Sequence, residues 1–185
     1  LIFVKVCQVG SSLHDFGGIE RYLVYLCQAL RDRGHEVTCI VPKGSPLDER
    51  ITTPKEPISL HRQFQLSLFP KFLNFFRTHR FDVVNTHFSP DYVIPALAAK
   101  VAGQPCRILT RHVLVPWKPS KTKRYSSLFT HFVGVSNAVG NMLVNGAIPK
   151  ERVMVAEPGC PPLTPSKPKN PGAFRAGFFG RIVED

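Results

Sequence analysis

The chain has 185 residues, of which 43% are hydrophobic, and carries a formal net charge of +11 from 24 Lys and Arg against 13 Asp and Glu. This length accommodates one full domain and part of a second. The apolar fraction excludes a disordered chain, and no apolar run reaches the ~20 residues that a membrane-spanning helix requires.

The opening LIFVKVCQVG is short, is interrupted by Lys5 and lacks a small-residue cleavage pattern, so it reads as a buried strand rather than a secretion signal. Residues 2 to 9 are almost continuously apolar, as in a strand covered on both faces of a parallel sheet. A polar loop, Gly10 to Gly18, follows. Ile19, Tyr22, Leu23, Leu26, Cys27 and Leu30 then recur at helical spacing, with Arg21, Gln28, Arg31 and Arg33 off the stripe. Gly34 suits the end of that helix. Residues 36 to 41 (EVTCIV) form the second strand, and the resulting βαβ unit implies a parallel pair.

Pro42 to Pro57 is proline-rich and charged and reads as a surface loop. Within the apolar, aromatic stretch Leu66 to Phe76, a helix is expected from about Lys71 and running on to Arg77. Phe81 to Thr86 is the third strand, Tyr92 to Ala102 a helix and Arg107 to Thr110 the fourth strand. Pro116 and Pro119 break structure at the start of the basic segment Pro116 to Arg124, and a helix resumes near Lys121. His131 to Val135 is the fifth strand, Ser136 to Asn145 a helix capped by Ser136, and Val153 to Ala156 the sixth strand. Strands alternating with helices predict an α/β fold with a doubly wound parallel sheet over residues 1–157. Residues 158–172 are Pro-rich and predict a semi-rigid linker. Residues 173–185, with FRAGFFGR, predict the first strand of a second domain.

From Tyr92 to Lys150 there is no acidic residue, while Lys100, Arg107, Arg111, Lys118, Lys121, Lys123, Arg124 and Lys150 all occur. A field of one sign favours anionic partners, or merely a solvated face. The five cysteines, Cys7, Cys27, Cys39, Cys106 and Cys160, are odd in number and lack C-x-x-C spacing. A zinc site or disulfide framework does not follow, and a reducing cytosol fits.

Ligands of an open parallel sheet bind beyond the carboxyl ends of its strands. That rule selects Gly17-Gly18, the loop after Val41, His87, Arg111-His112 and Ser136-Asn137. Gly17 and Gly18 open the first helix, where backbone N–H groups and the helix dipole favour an anion. The dinucleotide G-x-G-x-x-G and the P-loop patterns are absent. His87 and His112 each follow a strand, where a histidine can contact a substrate oxygen or move a proton. His14, His35, His61, His79 and His131 show no metal-ligand spacing.

GGIERYLVYLCQALRDRGHEVTCIV resembles the opening of the retaining family-four glycosyltransferases of the GT-B fold. Their pattern there is a Gly-Gly pair, a helix, then R-G-H-x-V before strand two. In order along the chain, FDVVNTH, ILTRH, VGVSNAV, ERVMVAEPG and GFFGRIVED are similar to further segments of that family. The resemblance spans nearly the whole chain. Gly44 to Leu68 matches nothing in it, Pro161 replaces a common Asp, and the later E-x(7)-E donor motif is absent.

The resemblance implies the Rossmann-like N-terminal half of a GT-B fold. Its parent would transfer a sugar from a nucleotide-diphosphate sugar to a saccharide or lipid-linked acceptor hydroxyl, keeping the anomeric configuration. It implies Gly17, Gly18 and Arg181 at the donor diphosphate and His112 beside the transferred sugar. Glu20, His87 and Arg111 fall to the acceptor side. It implies no metal, no cofactor other than the donor substrate and no nucleic-acid partner. A GT-B sugar-nucleotide epimerase and a non-catalytic anion- or nucleic-acid-binding domain remain alternative readings. Trp117 to Arg124 is expected to touch an anionic membrane or a phosphorylated lipid acceptor, with Trp117 and Tyr125 at the interface. The location is expected to be cytoplasmic, peripheral at the inner face of the membrane. The 185 residues alone are expected to be inactive, since they supply one wall of an interdomain cleft.

Overall fold

The computed structural model describes residues 3–11 and 16–159. A single sheet runs through them, built from β1 (Lys5–Val9), β2 (Glu36–Val41), β3 (Lys55–Pro57), β4 (Val83–Thr86), β5 (Cys106–Arg111), β6 (His131–Gly134) and β7 (Val153–Val155). Every pairing is parallel, and the order is β3-β2-β1-β4-β5-β6-β7. The chain winds outward from β1 to β3, returns to β4 beside β1, and winds the other way to β7. Since right-handed crossovers follow the direction of winding, the two halves carry their helices on opposite faces.

Helix α1 (Gly18–Asp32) and helix α2 (Pro46–Arg50) cover one face. Leu23, Cys27, Leu47 and Ile51 pack there on Val37, Cys39 and Val41 of β2. Helices α3 (Phe69–His79), α4 (Ile94–Val101), α5 (Pro119–Leu128) and α6 (Asn137–Asn145) cover the other. Their Phe72, Phe76, Ile94, Ala98, Tyr125 and Leu143 bury Cys7, Val9, Ile40, Val84, Leu109 and Phe132. The sheet is therefore enclosed as its apolar strands require.

The doubly wound parallel sheet is as expected, with seven strands in place of six. The added strand, β3, lies in the segment read as loop. Its three residues, Lys-Glu-Pro, carry no apolar signal, and a proline is tolerated because the strand is at the edge. Helix α2 also falls in that segment. Ser45 caps it, its Oγ accepting from the N–H of Asp48 at 3.1 Å, and Pro46 occupies the first turn. Lys55 Nζ reaches Asp48 at 2.8 Å and ties the edge strand to this helix.

Proline acts as a starter elsewhere too. Pro119 stands at the beginning of α5 rather than breaking it, and Pro70 lies in the first turn of α3, which runs longer than expected. Pro95 delays α4 to Ile94, after a 3-10 turn over Ser89–Tyr92. β1 starts at Lys5 rather than residue 2, and Phe3 is exposed. Gly34 follows the end of α1 with φ of +86°, the left-handed position that closes a helix. Cys7, Cys27, Cys39 and Cys106 are free thiols. Among the described residues no helix is long and apolar enough to cross a membrane. The linker expected at 158–172 reaches the described residues only as far as Gly159, and the strand expected over 173–185 lies outside them.

Candidate functional site at the switch point of the sheet

The winding reverses between β1 and β4, and the crevice beyond their carboxyl ends is where such sheets take ligands. β1 enters it through Gly10. A Cβ there would stand 2.5 Å from Leu23 Cδ2 and 3.0 Å from Leu47 Cδ2, so glycine lets the strand exit between α1 and α2 without displacing either leucine.

His87, which is 1% exposed, directly follows the end of β4 at Thr86. Its Nε2 lies 2.7 Å from Gln8 Oε1 on β1, and its Nδ1 lies 3.3 Å from Nε2 of His112, just past β5. An amide oxygen only accepts, so the His87 proton sits on Nε2. Nδ1 then accepts from His112 Nε2–H, and the lone pair of His112 Nδ1 remains to accept from a hydroxyl. Tyr22 of α1 presses its ring on both histidines, with centroids 5.9 Å from His87 and 5.0 Å from His112. Burial, and secondarily His112, holds His87 well below the usual histidine range. Burial and the charge of Arg111 push His112 down to about 4. Both rings are therefore neutral at pH 7 and serve as polar contacts rather than as cations.

Tyr92 braces the pair from behind, its hydroxyl lying 3.2 Å from the carbonyl of His87 and 3.1 Å from that of Thr110. Asp91, fully buried, ties the loops after β1 and β4 together. Its Oδ2 accepts from the N–H of Phe88 at 3.1 Å and of Ser11 at 3.4 Å. Its Oδ1 has no partner, and burial raises its pKa to about 7.

The predicted residues divide around this centre. His87 and His112 meet directly, and the α1 end that bears Gly17, Gly18 and Glu20 adjoins them through Tyr22. Glu20 turns back on its own helix: its carboxylate accepts from the N–H of Gly17 at 2.8 Å. A carboxylate thus already meets the positive end of α1. Around Gly18 there is open space, with nothing within 4 Å of a notional Cβ. Arg111 lies to the other side, 6% exposed, with Nη2 donating to the carbonyl of Val115 at 2.8 Å and the guanidinium 5.2 Å from the Trp117 ring. Its Nε has no partner. Arg181 lies outside the described residues. Among those described, no three His, Cys, Asp or Glu side chains are placed to hold a metal ion.

Of the two aromatic residues expected at an interface, Tyr125 does not face outward, while Trp117 is half-buried. Tyr125 is buried, and Trp117 packs edge-on against it at 4.7 Å and against Phe132 at 6.4 Å. The exposed apolar side chains of this region are Val113, Leu114 and Val115. Gln8, Tyr22 and Asp91 are site residues that the sequence reading missed. Gln8 was visible as the one neutral polar residue among the apolar ones of the first strand, whereas Tyr22 was absorbed into a core stripe.

The model of Glycosyltransferase Family 4 matches residues 16–162. No curated protein matches the chain. Among solved structures, Anabaena HepE in complex with UDP-glucose is 18% identical, with a TM-score of 0.68 over 85% of this chain and 44% of that one. A glycosyltransferase from Rickettsia africae ESF-5 is 19% identical, with a TM-score of 0.68 over 84% of this chain and 43% of that one. A putative UDP-N-acetylglucosamine 2-epimerase from Listeria monocytogenes is 14% identical, with a TM-score of 0.58 over 82% and 44%. The chain thus spans less than half the length of these structures.

Proposed function

We propose a function for this chain, which belongs to glycosyltransferase family 4: it forms the acceptor-side half of an enzyme that moves a sugar from a nucleotide-diphosphate sugar to an acceptor hydroxyl with retention. Family membership supplies the reaction class. The observation that carries the half's role is the neutral His87–His112 pair at the switch point, 3.3 Å apart and overlaid by Tyr22 of α1.

The chemical difficulty is charge. The leaving diphosphate gains negative charge while the sugar becomes oxocarbenium-like, and a cation beside that sugar would raise the barrier. A neutral His112 whose Nδ1 accepts from a sugar hydroxyl orients the ring without adding positive charge. The diphosphate needs fixed donors and cations. In this reading the open first turn at Gly18 supplies N–H groups, Gly17 contributes when Glu20 releases it, and Arg181 supplies the cation. Glu20, His87 and Arg111 border the acceptor.

In this proposal the acceptor side makes a peripheral contact with the inner face of a membrane. What supports this is the exposed Val113-Leu114-Val115 beside exposed Lys118, Lys121 and Lys123. Equal sedimentation with neutral and anionic vesicles at low salt would refute it.

The test of the main proposal is radiolabelled sugar transfer by the full-length parent beside this chain. Transfer by the parent with retained configuration, and none by the 185 residues, is expected. Epimerised nucleotide sugar without transfer would replace the reading by the epimerase one. Equal turnover by both proteins would place the whole chemistry in this half.

A further inference from the structure

Resting on the transferase reading, we infer that the hollow beside Arg111 holds the phosphate of a phosphorylated acceptor. This hollow, about 540 Å³, opens at the carboxyl end of β5, and His61, Arg62, Arg111, Trp117, Lys121 and Tyr125 line it with no acidic side chain among its walls.

Three observations define the ligand. Arg111 is 6% exposed yet leaves Nε–H unpaired. Proteins rarely bury a charged donor without an acceptor, because the desolvation goes uncompensated. The guanidinium is also held in place: Val115 takes Nη2 at 2.8 Å and the Trp117 ring lies 5.2 Å from it. A planar guanidinium fixed in this way at the wall of the hollow suits a tetrahedral oxyanion through its remaining terminal N–H groups. Finally, Arg62 and Lys121 stand exposed among the lining residues and add two more cations. Three cations with no anion among them focus the field on a multiply charged group such as a phosphate. The Trp117 wall offers an apolar face to whatever carries that phosphate, a sugar ring or a lipid glycerol.

Trp117 is the chain's single tryptophan and lines this hollow, so its fluorescence reads binding there, and the Arg62 and Lys121 variants separate that signal from binding in the larger cavity on its other side. The 185-residue chain is titrated with inorganic phosphate, glucose 1-phosphate and dihexanoyl-phosphatidylglycerol below its micelle concentration. Glucose and octyl glucoside serve as uncharged counterparts. Saturable changes are expected with the phosphate probes, with the uncharged ones weaker by about tenfold or more, as the loss of one charge-assisted contact predicts. Glucose 1-phosphate binding more tightly than the lipid assigns a soluble acceptor, and the reverse order a lipid headgroup. The double variant Arg62→Gln with Lys121→Gln, both at exposed positions, should lose about tenfold or more in affinity with an unchanged circular dichroism spectrum. Arg111→Lys keeps the charge but not the fork and should also weaken binding.

The inference falls if no phosphate probe saturates, if glucose binds as tightly as glucose 1-phosphate, or if the double variant binds within about twofold of wild type. Sugar transfer by the parent is read separately. Phosphate binding without transfer removes the transferase reading and leaves the site; transfer without phosphate binding removes the site alone.

Discussion

The substitution Asp91→Asn should change how the stability of the domain depends on pH, and the size of the change can be worked out. Asp91 is 0% exposed, with two backbone N–H donors at Oδ2 and none at Oδ1. Burial raises its pKa to about 7, against about 3.9 for an unfolded Asp. Between those values the unfolded state has released the proton and the folded state still holds it. Stability is therefore full below the unfolded pKa and is lost as pH rises to the folded one, at about 1.36 kcal/mol per unit. The whole loss is about 4 kcal/mol, of which about 2.5 falls between pH 5 and pH 8. The asparagine side chain cannot ionise. Its amide oxygen keeps both backbone contacts, and its NH₂ can donate to Ser11 Oγ, which has no partner in the wild type. Urea unfolding of both proteins at pH 5, 6, 7 and 8 reads the difference. Stabilities should lie within about 1 kcal/mol at pH 5 and diverge in favour of the variant toward pH 8. Parallel pH curves would mean that Asp91 is ionised in the folded protein throughout, and the burial argument would fail.

Gly134→Ala should lower stability by about 1–3 kcal/mol and the melting temperature by roughly 3–10 °C, because overpacking would have to displace main chain. Its Cβ would stand 2.7 Å from Gly140 N and 3.0 Å from Gly140 Cα, which no rotamer change relieves. Gly18→Ala, with nothing within 4 Å, should stay within about 0.5 kcal/mol by the same calorimetry. Gln8→Leu leaves His87 Nε2–H buried without an acceptor and should cost about 1–3 kcal/mol in urea unfolding; no measurable cost would show that the 2.7 Å contact is not a hydrogen bond. Nitrogen-detected NMR should find the His112 ring neutral from pH 8 down to pH 5, since its pKa lies at about 4, and a midpoint at 6.5 or above would overturn the neutral-pair account.

The alternation of apolar strands with amphipathic stripes made the sheet legible, because both faces of each inner strand are buried and each crossover needs a helix. β3 escaped because an edge strand of three residues has no core face to announce it. Proline carries two opposite signals: in the sequence Pro119 suggests a break, yet a proline in the first helical turn forfeits no hydrogen bond and starts α5. At the site, His87 and His112 were found by their place after strands. Their contact was not legible, since they lie 25 residues apart and meet only through the pairing of β4 with β5. The basic neighbours of Trp117 in the sequence say nothing of its ring contacts, Tyr92, Tyr125 and Phe132, which come from three other elements.

The placement of charge constrains how a donor could sit in the crevice. At the switch point the described groups are nearly neutral: two histidines with depressed pKa values, the amide of Gln8, and an aspartic acid whose pKa of about 7 resists ionisation. The one carboxylate at the start of α1, Glu20, already accepts from Gly17 N–H at 2.8 Å. An incoming diphosphate would meet that carboxylate as a like charge, and a helix dipole contributes only about 0.3–1 kcal/mol toward holding an anion. The helix end alone is therefore too weak an anchor for a leaving diphosphate. The guanidinium that adjoins His112 in the chain, Arg111, is committed to Val115 and Trp117 on the α5 side of β5. In the proposed transferase reading the countercharge comes from Arg181, and Glu20 moves off Gly17 as the nucleotide arrives. The two proposals together give the reaction's two anions separate places: the diphosphate at the α1 end, and the acceptor's phosphate in the cationic hollow.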